Sequence, residues 1–477
     1  LFNWIEADSY FSGEWQMFKT RTMLFAGALA AGLTAGAMAS DNTVNEQLKA
    51  LRAELDAVRA SNSQLQGQVA QLRSASDENW LNERRAEEVK SLVKEVLADA
   101  DTRASLLEGG MTAGYNKKFF LASEDGSFKL ELAGQVQFRY IYNNIDEDPN
   151  GDDVESGFQL RRTKLKFGGH IGNPKIKYAL ALASHRNTGD MYLEEAKISY
   201  ALGNGLTISA GRFKAPFARE ELTSSSKQLT VERSVINETF TVGFVEGFSL
   251  GYATDTFGVT GMISDGAGSG ECDSDDTAKH KDWKDDTTDF AFTARVEAAL
   301  IGKLKDGGDY SSWSKDATSL LVGAAFHYET GEGDKNADTN LYRWTLDAGF
   351  KSNGFGAAFA IFGEGGDLNT TTARDENIGL VGQVSYMVVP DTFEPFFRWE
   401  HFIDDGKTVA TDHDFDIVTF GFNWYQHKHN SKFTLDVVYI LDDLDVSLSS
   451  GLGLRTNGGL NGEEGEMAIR AQYQLLF

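Results

Sequence analysis

Cations, carboxylates and hydroxyls crowd one stretch of this 477-residue chain. Arg161 and Arg162 are adjacent, and Lys177, Arg212, Lys214 and Arg219 follow. Glu220 and Glu221 come next, then the hydroxyls of Ser224 and Ser225 and the ammonium of Lys227. Fixed charges of this kind, set around a narrow aqueous passage, select ions by sign: basic rings draw anions and acidic rings draw cations. The bland alternatives are pairing across strands, a solvated rim, or contact with lipopolysaccharide.

Other chemistry finds little support. The eight His are scattered, and no Gly-x-Ser-x-Gly elbow is present. Acidic pairs such as Asp404-Asp405 and Asp442-Asp443 read as loop residues rather than as a general acid and base, so no enzyme is expected. Asp146, Asp148 and Asn150 before Gly151 copy the first half of a calcium loop. The twelfth position is Gly157 rather than Glu, so the bidentate ligand is missing and an acidic external loop is expected. Cys272 is the only cysteine, which excludes an intrachain disulfide, and with His280 and Trp283 it falls in a Gly/Asp/Lys-rich loop from Asp265 to Asp289. The segment Gly331 to Asn340 reads as a similar loop. No metal site or cofactor is expected.

The elements that must carry these charges show in composition and period. Only 41% of residues are hydrophobic, too few for a helical membrane protein, yet aromatics reach 12%, with 32 Phe and 15 Tyr. The 49 Gly and 5 Pro complete a mix that suits transmembrane barrels, whose lipid face is apolar and aromatic and whose lumen is polar. Proline is scarce because it cannot donate to a ladder. A net charge of −26 argues against nucleic acid as a partner.

Met17 opens a stretch that reads as an export signal. Lys19 and Arg21 precede an apolar run from Met23 to Ala35, and Ala37-Met38-Ala39 fits a cleavage site before Ser40. Residues 1–16 fit no part of a signal and read as a start assigned too early, with the signal at 17–39. Residues 40–110 then read as a periplasmic helical region. Val44, Leu48, Leu51, Leu55, Val58, Asn62, Leu65, Val69 and Leu72 form one heptad seam with Leu48 at a. Asn62 also falls at a, where a polar residue fixes register and oligomer number. The seam predicts an intermolecular coil; packing on the protein's own body is the alternative. A second helix is expected from about Asn82 to Leu107, ended by Gly109-Gly110.

After about residue 115 the period becomes two. Phe128, Leu130, Leu132, Gly134, Val136, Phe138, Tyr140 and Tyr142 alternate with Lys129, Glu131, Ala133, Gln135, Gln137, Arg139 and Ile141. That run is long for a soluble strand and suits a tilted membrane strand. Similar faces recur at Tyr342 to Phe350, Val418 to Trp424 and Phe433 to Tyr439. The closing strand alternates Met467, Ile469, Ala471, Tyr473, Leu475 and Phe477 with Ala468, Arg470, Gln472 and Gln474. Open edges cannot persist in lipid, so residues 111–477 are expected to close into an all-β transmembrane barrel of about sixteen antiparallel strands, preceded by the α-helical coiled coil. Parity shifts between Leu160 and Leu165, which leaves open whether Arg161 or Arg162 faces the lumen.

The run from Phe158 through Arg161, Arg162, Lys164 and Lys166 to Gly169 resembles the double-arginine strand of the phosphate-selective porin O and P family. Tyr192 to Ala196 resembles its next landmark. Gly211 to Phe217, with Glu220, Leu222, Thr223, Ser224, Ser225 and Glu232-Arg233-Ser234, resembles its constriction loop, and Gly421 to Tyr425 and the closing strand also match. The resemblance covers about residues 115–477 and implies a trimer of sixteen-stranded barrels in the bacterial outer membrane, each narrowed by an infolded loop. Two departures stand out. Glu221 replaces the lysine that follows the loop glutamate in phosphate-selective members, and Gln135 replaces a first-strand arginine.

Passive diffusion of small ions and solutes is therefore the leading expectation, with Glu220 and Glu221 drawing cations. Phosphate or anion uptake, and a coil that tethers a barrel anchor to peptidoglycan, are the alternatives.

Overall fold

The computed structural model describes residues 41–79 and 111–477, apart from 146–153, 268–287, 334–336, 370–371, 375, 405–413, 443–449, 455, 458–459 and 462–463. The signal segment, the second helix, the calcium-like residues Asp146, Asp148 and Asn150, and Cys272 lie outside the described residues.

Two units are present, divided near residue 108. Among the described residues the first contains the helix α1 (Asp41–Asn79), which covers the whole heptad seam. Leu55, Val58 and Leu65 of that seam are exposed on the single chain. Such an apolar stripe has no partner within α1 itself.

In the second unit a short hairpin, β1 (Met111–Tyr115) and β2 (Phe119–Ser123), leads into the wall strands. These are β3 (Lys129–Asn144), β4 (Val154–Ile171), β5 (Asn173–Ser184), β6 (Met191–Gly203), β7 (Leu206–Lys214), β8 (Phe244–Ala253), β9 (Phe257–Ser264) and β10 (Thr288–Ile301). There follow β11 (Ser319–Gly333), β12 (Ala337–Ser352), β13 (Phe355–Asn369), β15 (Ile378–Tyr386), β16 (Phe393–Ile403), β17 (Phe415–His427), β18 (Ser431–Ile440) and β21 (Met467–Leu476). The short pieces β14 (Thr372–Arg374), β19 (Thr456–Asn457) and β20 (Leu460–Asn461) belong to loops. Each wall strand pairs antiparallel with the next, and β21 returns to β3 with Met467 opposite Asn144 and Leu476 opposite Gln135. The sheet thus closes as sixteen strands, which removes open edges from the wall as lipid demands.

Closure is helped by the chain end. Phe477 N donates to Gly134 O at 3.1 Å, Gly134 N donates to Phe477 O at 2.7 Å, and the Phe477 ring occupies the space a Cβ at 134 would need. Below this seam β2 continues the pairing with β3, Phe119 opposite Leu132 and Ala122 opposite Lys129.

Side-chain alternation follows the expected polarity. Phe138, Phe158, Leu250, Phe326, Leu346, Phe420 and Leu475 stand exposed on the outside, whereas Gln137, Arg139, Arg398, Thr434, Asp436 and Arg470 are buried inside. Pro174 and Pro395 do lie in strands, each near a strand start, where a lost ladder bond costs least.

One local irregularity settles the parity of β4. Gln137 pairs with Arg162 and Phe138 with Leu160, so Arg161 is the extra residue of a β-bulge. A bulge sets two consecutive residues against one partner. Both arginines therefore point inward, and each is 9% exposed.

Candidate pore constriction

The chain between β7 and β8, residues 215–243, does not run over the rim. It folds into the lumen as α2 (Arg219–Leu222), a 3₁₀ turn at Ser225–Lys227, and α3 (Val235–Phe240). Local chemistry favours these turns. Ser224 Oγ accepts from Ser226 N, and Ser234 Oγ caps α3 by accepting from Asn237 N at 2.9 Å. Glu400 of β16 adds a carboxylate at the α3 N-terminus, accepting from Val235 N at 2.6 Å.

Glu232 is the electrostatic centre. Arg139 Nη1 lies 2.8 Å from its carboxylate, Arg161 Nε 2.9 Å and Arg162 Nη2 2.7 Å. Burial works against the charge on Glu232, but Arg161, Arg162 and Arg139 outweigh it and hold its carboxyl well below the usual range.

Glu220 and Glu221 are also buried, but neither stands free in the passage. Glu220 accepts from Ser234 N at 2.9 Å and Ser234 Oγ at 2.6 Å, and Arg398 approaches at 3.7 Å. Glu221 pairs with Lys214 at 2.8 Å and Arg233 at 3.1 Å. Burial again opposes its charge, and Arg233 and Lys214 bring it down to about 2. These carboxylates hold the loop together, so the cation-drawing ring expected of them has its charge matched locally.

The remaining expected residues are dispersed. Ser225 Oγ accepts from Gln135 at 3.2 Å, which fixes the turn to β3. Arg212 is buried on β7, with Glu246 at 3.9 Å. Lys177 is exposed near the start of β5 and does not join the constriction. Arg219 lies over Gly349, and Lys227 donates to Gly308 O at 3.2 Å.

Further residues of the assembly were not singled out from sequence. Arg470 and Asp436 form a two-pronged pair, with both N–O distances 2.8 Å, and Asp436 accepts from Val231 N at 2.8 Å. Arg398 donates to Thr230 Oγ1 at 2.7 Å, and Lys432 to Gln228 O at 2.8 Å. Arg139 and Arg470 were visible as cations on the polar faces of the first and last strands; their partners were not.

A second segment enters from the opposite end. Most turns there are short, but 302–318 between β10 and β11 is long, and its Tyr310, Ser311, Ser312 and Trp313 are buried. Ser311 Oγ donates to Glu394 at 2.9 Å, while Asp309 takes Lys351 at 2.9 Å and His429 at 3.2 Å. The Trp313 ring meets Tyr425 edge-on at 4.8 Å. Tyr310 packs with Leu229 of the loop and Phe396 of β16, so the two segments clasp inside the lumen. No periodic signal marks this turn in the sequence, because its burial depends on partners from three other strands, β12, β16 and β17, and from the turn at His429.

The segments fill one side of the lumen. Inward residues of β16, β18 and β21 are buried, including Glu394, Arg398, Lys432, Asp436, Arg470 and Gln474. Across the barrel Lys175 and Lys177 are exposed, and Lys166, Glu195, Lys197, Thr207 and Ser209 are partly so. Inward side chains that reach solvent thus lie on β4 to β8, with Glu297 on β10.

Comparison with known proteins agrees with this architecture. The family model for phosphate-selective porin O and P matches residues 132–473. An uncharacterized protein of Aquifex aeolicus is 23% identical over 350 residues, covering 65% of this chain and 82% of its own length. Porin O of Pseudomonas aeruginosa is 28% identical over 121 residues, 25% of this chain and 27% of that protein. The anion-selective porin from Comamonas acidovorans shares the fold with a TM-score of 0.52 at 13% identity, over 73% of this chain and 99% of its own. An outer-membrane barrel closed around an infolded loop, matched through that loop and nearly the whole wall, places the chain in the phosphate-selective porin O and P family, as a channel for passive diffusion in the bacterial outer membrane.

Proposed function

We propose that the channel passes small hydrophilic solutes without energy coupling and favours anions weakly. The observation behind this reading is the convergence of three guanidiniums, those of Arg139, Arg161 and Arg162, on Glu232 at the constriction. The positive field of this arginine cluster is focused by low-dielectric walls and screened by water in the passage. Half-exposed Glu195, Glu246 and Glu297 along the wall keep the preference weak. The family match and the barrel fold favour a channel over an enzyme. The test is the reversal potential in a planar bilayer under a potassium chloride gradient, followed by added phosphate. Anion preference is expected, with chloride current reduced by phosphate; cation preference without block would restore Glu220 and Glu221 as the filter.

A second reading concerns α1. With Leu48 at a, Arg52 and Arg59 fall at e and Glu54 at g. In a parallel in-register coil Glu54 of one chain meets Arg59 of the next, whereas antiparallel pairing sets arginines against each other. The exposed Leu55, Val58 and Leu65 then face copies of the same helix. We read α1 as a parallel periplasmic coil that supports a homotrimer, a state matching three barrels about one axis. Deleting residues 40–107 is expected to leave a folded barrel whose trimer dissociates at lower temperature; an unchanged transition would remove the coil from this role. Tethering to peptidoglycan through the same coil predicts loss of sedimentation with cell wall in that deletion.

A further inference from the structure

We propose that segment 302–318 is an acid-released strap across the periplasmic half of the passage, with the imidazole of His429 as its proton sensor. The proposal goes beyond the reading of this lumen as an open channel, and rests on that reading for its effect on current.

The first observation is how the segment is held. Gly307 and Gly308 precede a stretch, Asp309 to Asp316, that is fastened by polar contacts. Asp309 Oδ2 accepts from Trp313 Nε1 at 2.9 Å and meets His429 Nε2 at 3.2 Å, while its Oδ1 accepts from Lys351 of β12 at 2.9 Å. Lys351 also lies 3.5 Å from Asp316. Ser311 Oγ donates to Glu394 of β16, which also takes Tyr425 Oη of β17 at 2.5 Å and Ser385 Oγ of β15 at 2.9 Å. Ser314 Oγ donates to Asp391 at 2.6 Å. The constriction loop joins through Lys227, which donates to Gly308 O at 3.2 Å, and through Leu229 against Tyr310.

The second observation is the cage around His429. This residue sits in the turn between β17 and β18 and is buried. The rings of Trp313 and Tyr425 meet its imidazole edge-on at 5.2 and 5.7 Å. An ionised carboxylate can only accept, so Nε2 carries the hydrogen shared with Asp309 and Nδ1 is a bare lone pair. Nδ1 is buried and has no hydrogen-bond partner. A second proton would place an N–H where no acceptor stands, and a buried unpaired donor is costly.

The surrounding charges are mixed. Asp309 favours an imidazolium, whereas Lys432 of β18 and Lys227 of the constriction loop oppose it. Lys351 and Asp316 stand behind Asp309, Glu394 behind Tyr425, and Lys428 lies over the Trp313 ring at 4.7 Å. His427, two residues earlier, is exposed. Burial is the largest cause acting on His429, and its ring is pushed down from 6.5 to about 4. Burial also works against the charge on Asp309, but His429, Lys351 and Trp313 outweigh it and hold that carboxyl below its ordinary 3.8.

A released strap returns His429 to water and to its ordinary pKa. Between 6.5 and about 4 the released form takes a proton that the held form refuses. The holding free energy from His429 is therefore complete above 6.5, is lost as pH falls toward 4, and changes no further below it. Each pH unit in that window is worth up to about ten-fold in the equilibrium. Asp309 stays ionised throughout it.

The test uses the full-length protein. Amide protection in 302–318 is read by hydrogen exchange with mass spectrometry, each rate divided by that of an unstructured peptide at the same pH. Single-channel conductance is read beside it. From about pH 6.5 to about pH 4.5, wild-type protection is expected to fall about ten-fold or more while conductance rises. His429→Gln, which cannot titrate, should show neither change, and His427→Gln should show both. Lys432→Gln removes a cation that opposes the imidazolium and should lose less protection than wild type. Equal loss in wild type and His429→Gln, or no loss in wild type, would overturn the sensor. If His429→Gln is unprotected already at neutral pH, Lys432→Gln decides: a smaller acid loss than wild type keeps the sensor, and an equal or larger loss removes it. Protection lost without a rise in conductance would overturn the strap as a control on the passage. If the protein forms no channel in bilayers, the channel reading fails, and protection alone decides the strap by the same comparison of wild type with His429→Gln.

Discussion

The two sides of this lumen are built from the same alternating strands, yet they behave as different materials. Along β15 to β21 inward side chains are buried under the constriction loop and segment 302–318; Arg398, Glu400, Asp436 and Arg470 have opposites within ion-pair distance, and Glu394 and Lys432 are held by hydrogen bonds. Along β4 to β8 a set of inward side chains reaches water beside the buried Arg161, Arg162, Lys164 and Arg212, and charges such as Lys175 and Lys177 stand in solvent. On the filled side a charge acts as a fastener, because desolvation makes an unmatched ion costly. On the open side it acts on the passing ion, because water has already met its solvation needs. A charged residue on a polar strand face therefore acquires its role only when the side of the barrel it faces is known.

The largest effect should come from the fastener shared most widely. Glu232→Gln removes the carboxylate on which Arg139, Arg161 and Arg162 converge, and losing one partner of a buried ion pair costs about 3–5 kcal/mol. The loop should release from β3 and β4, seen as higher single-channel conductance with larger fluctuations and a lower melting temperature by circular dichroism. Unchanged conductance and melting would erase the distinction between the two sides.

Next in size is Trp313→Ala, which removes the ring packed against Tyr425 and His429. Truncating a buried tryptophan costs about 3–5 kcal/mol. Part of that loss should fall on local opening of segment 302–318 and not on the barrel. Faster protease cleavage within 302–318, with the wall intact, is the expected result.

A milder change follows from acid. Glu221 sits in the folded state at about 2 against an ordinary 4.5. A lowered value contributes stability that is complete above the ordinary pKa and is lost as pH falls through the folded one. Loop attachment should therefore weaken from about pH 4.5 down to pH 2. In Glu221→Gln, which already lacks the carboxylate, conductance and loop protease sensitivity should change less over this window.

The smallest effect belongs to the open side. Lys177→Gln should leave stability within about 0.5 kcal/mol of wild type, as surface substitutions usually do, and shift ion preference slightly toward cations. A large loss of stability would mean that Lys177 is a fastener after all.

Much of the fold was legible in the sequence. Period-two faces such as Phe128 to Tyr142 and Met467 to Phe477 report lipid on one side and water on the other, and their number fixes a closed wall. The constriction was legible as a place but not as a circuit. Arg161 and Arg162 appeared as a parity puzzle because a bulge depends on the register of the partner strand, which one strand cannot reveal. Glu220 and Glu221 appeared as a free acidic ring because the partners of Glu221, Lys214 and Arg233, and the hydrogen-bond donor to Glu220, Ser234, were treated as separate features. The clasp of Tyr310 on Leu229 and Phe396 had no signal at all, since it joins residues far apart in the chain through irregular backbone.

The most direct test of the two-sided lumen is thiol accessibility at matched inward positions, in a Cys272→Ser background. Lys197→Cys lies on the open side and Thr434→Cys on the filled side, where Thr434 is 1% exposed. A small water-soluble maleimide, followed by mass spectrometry of the folded protein, reads each rate without any current. The account predicts rapid labelling at 197 and protection at 434 until the barrel is unfolded. Equal rates at the two positions, or faster labelling at 434, would contradict it.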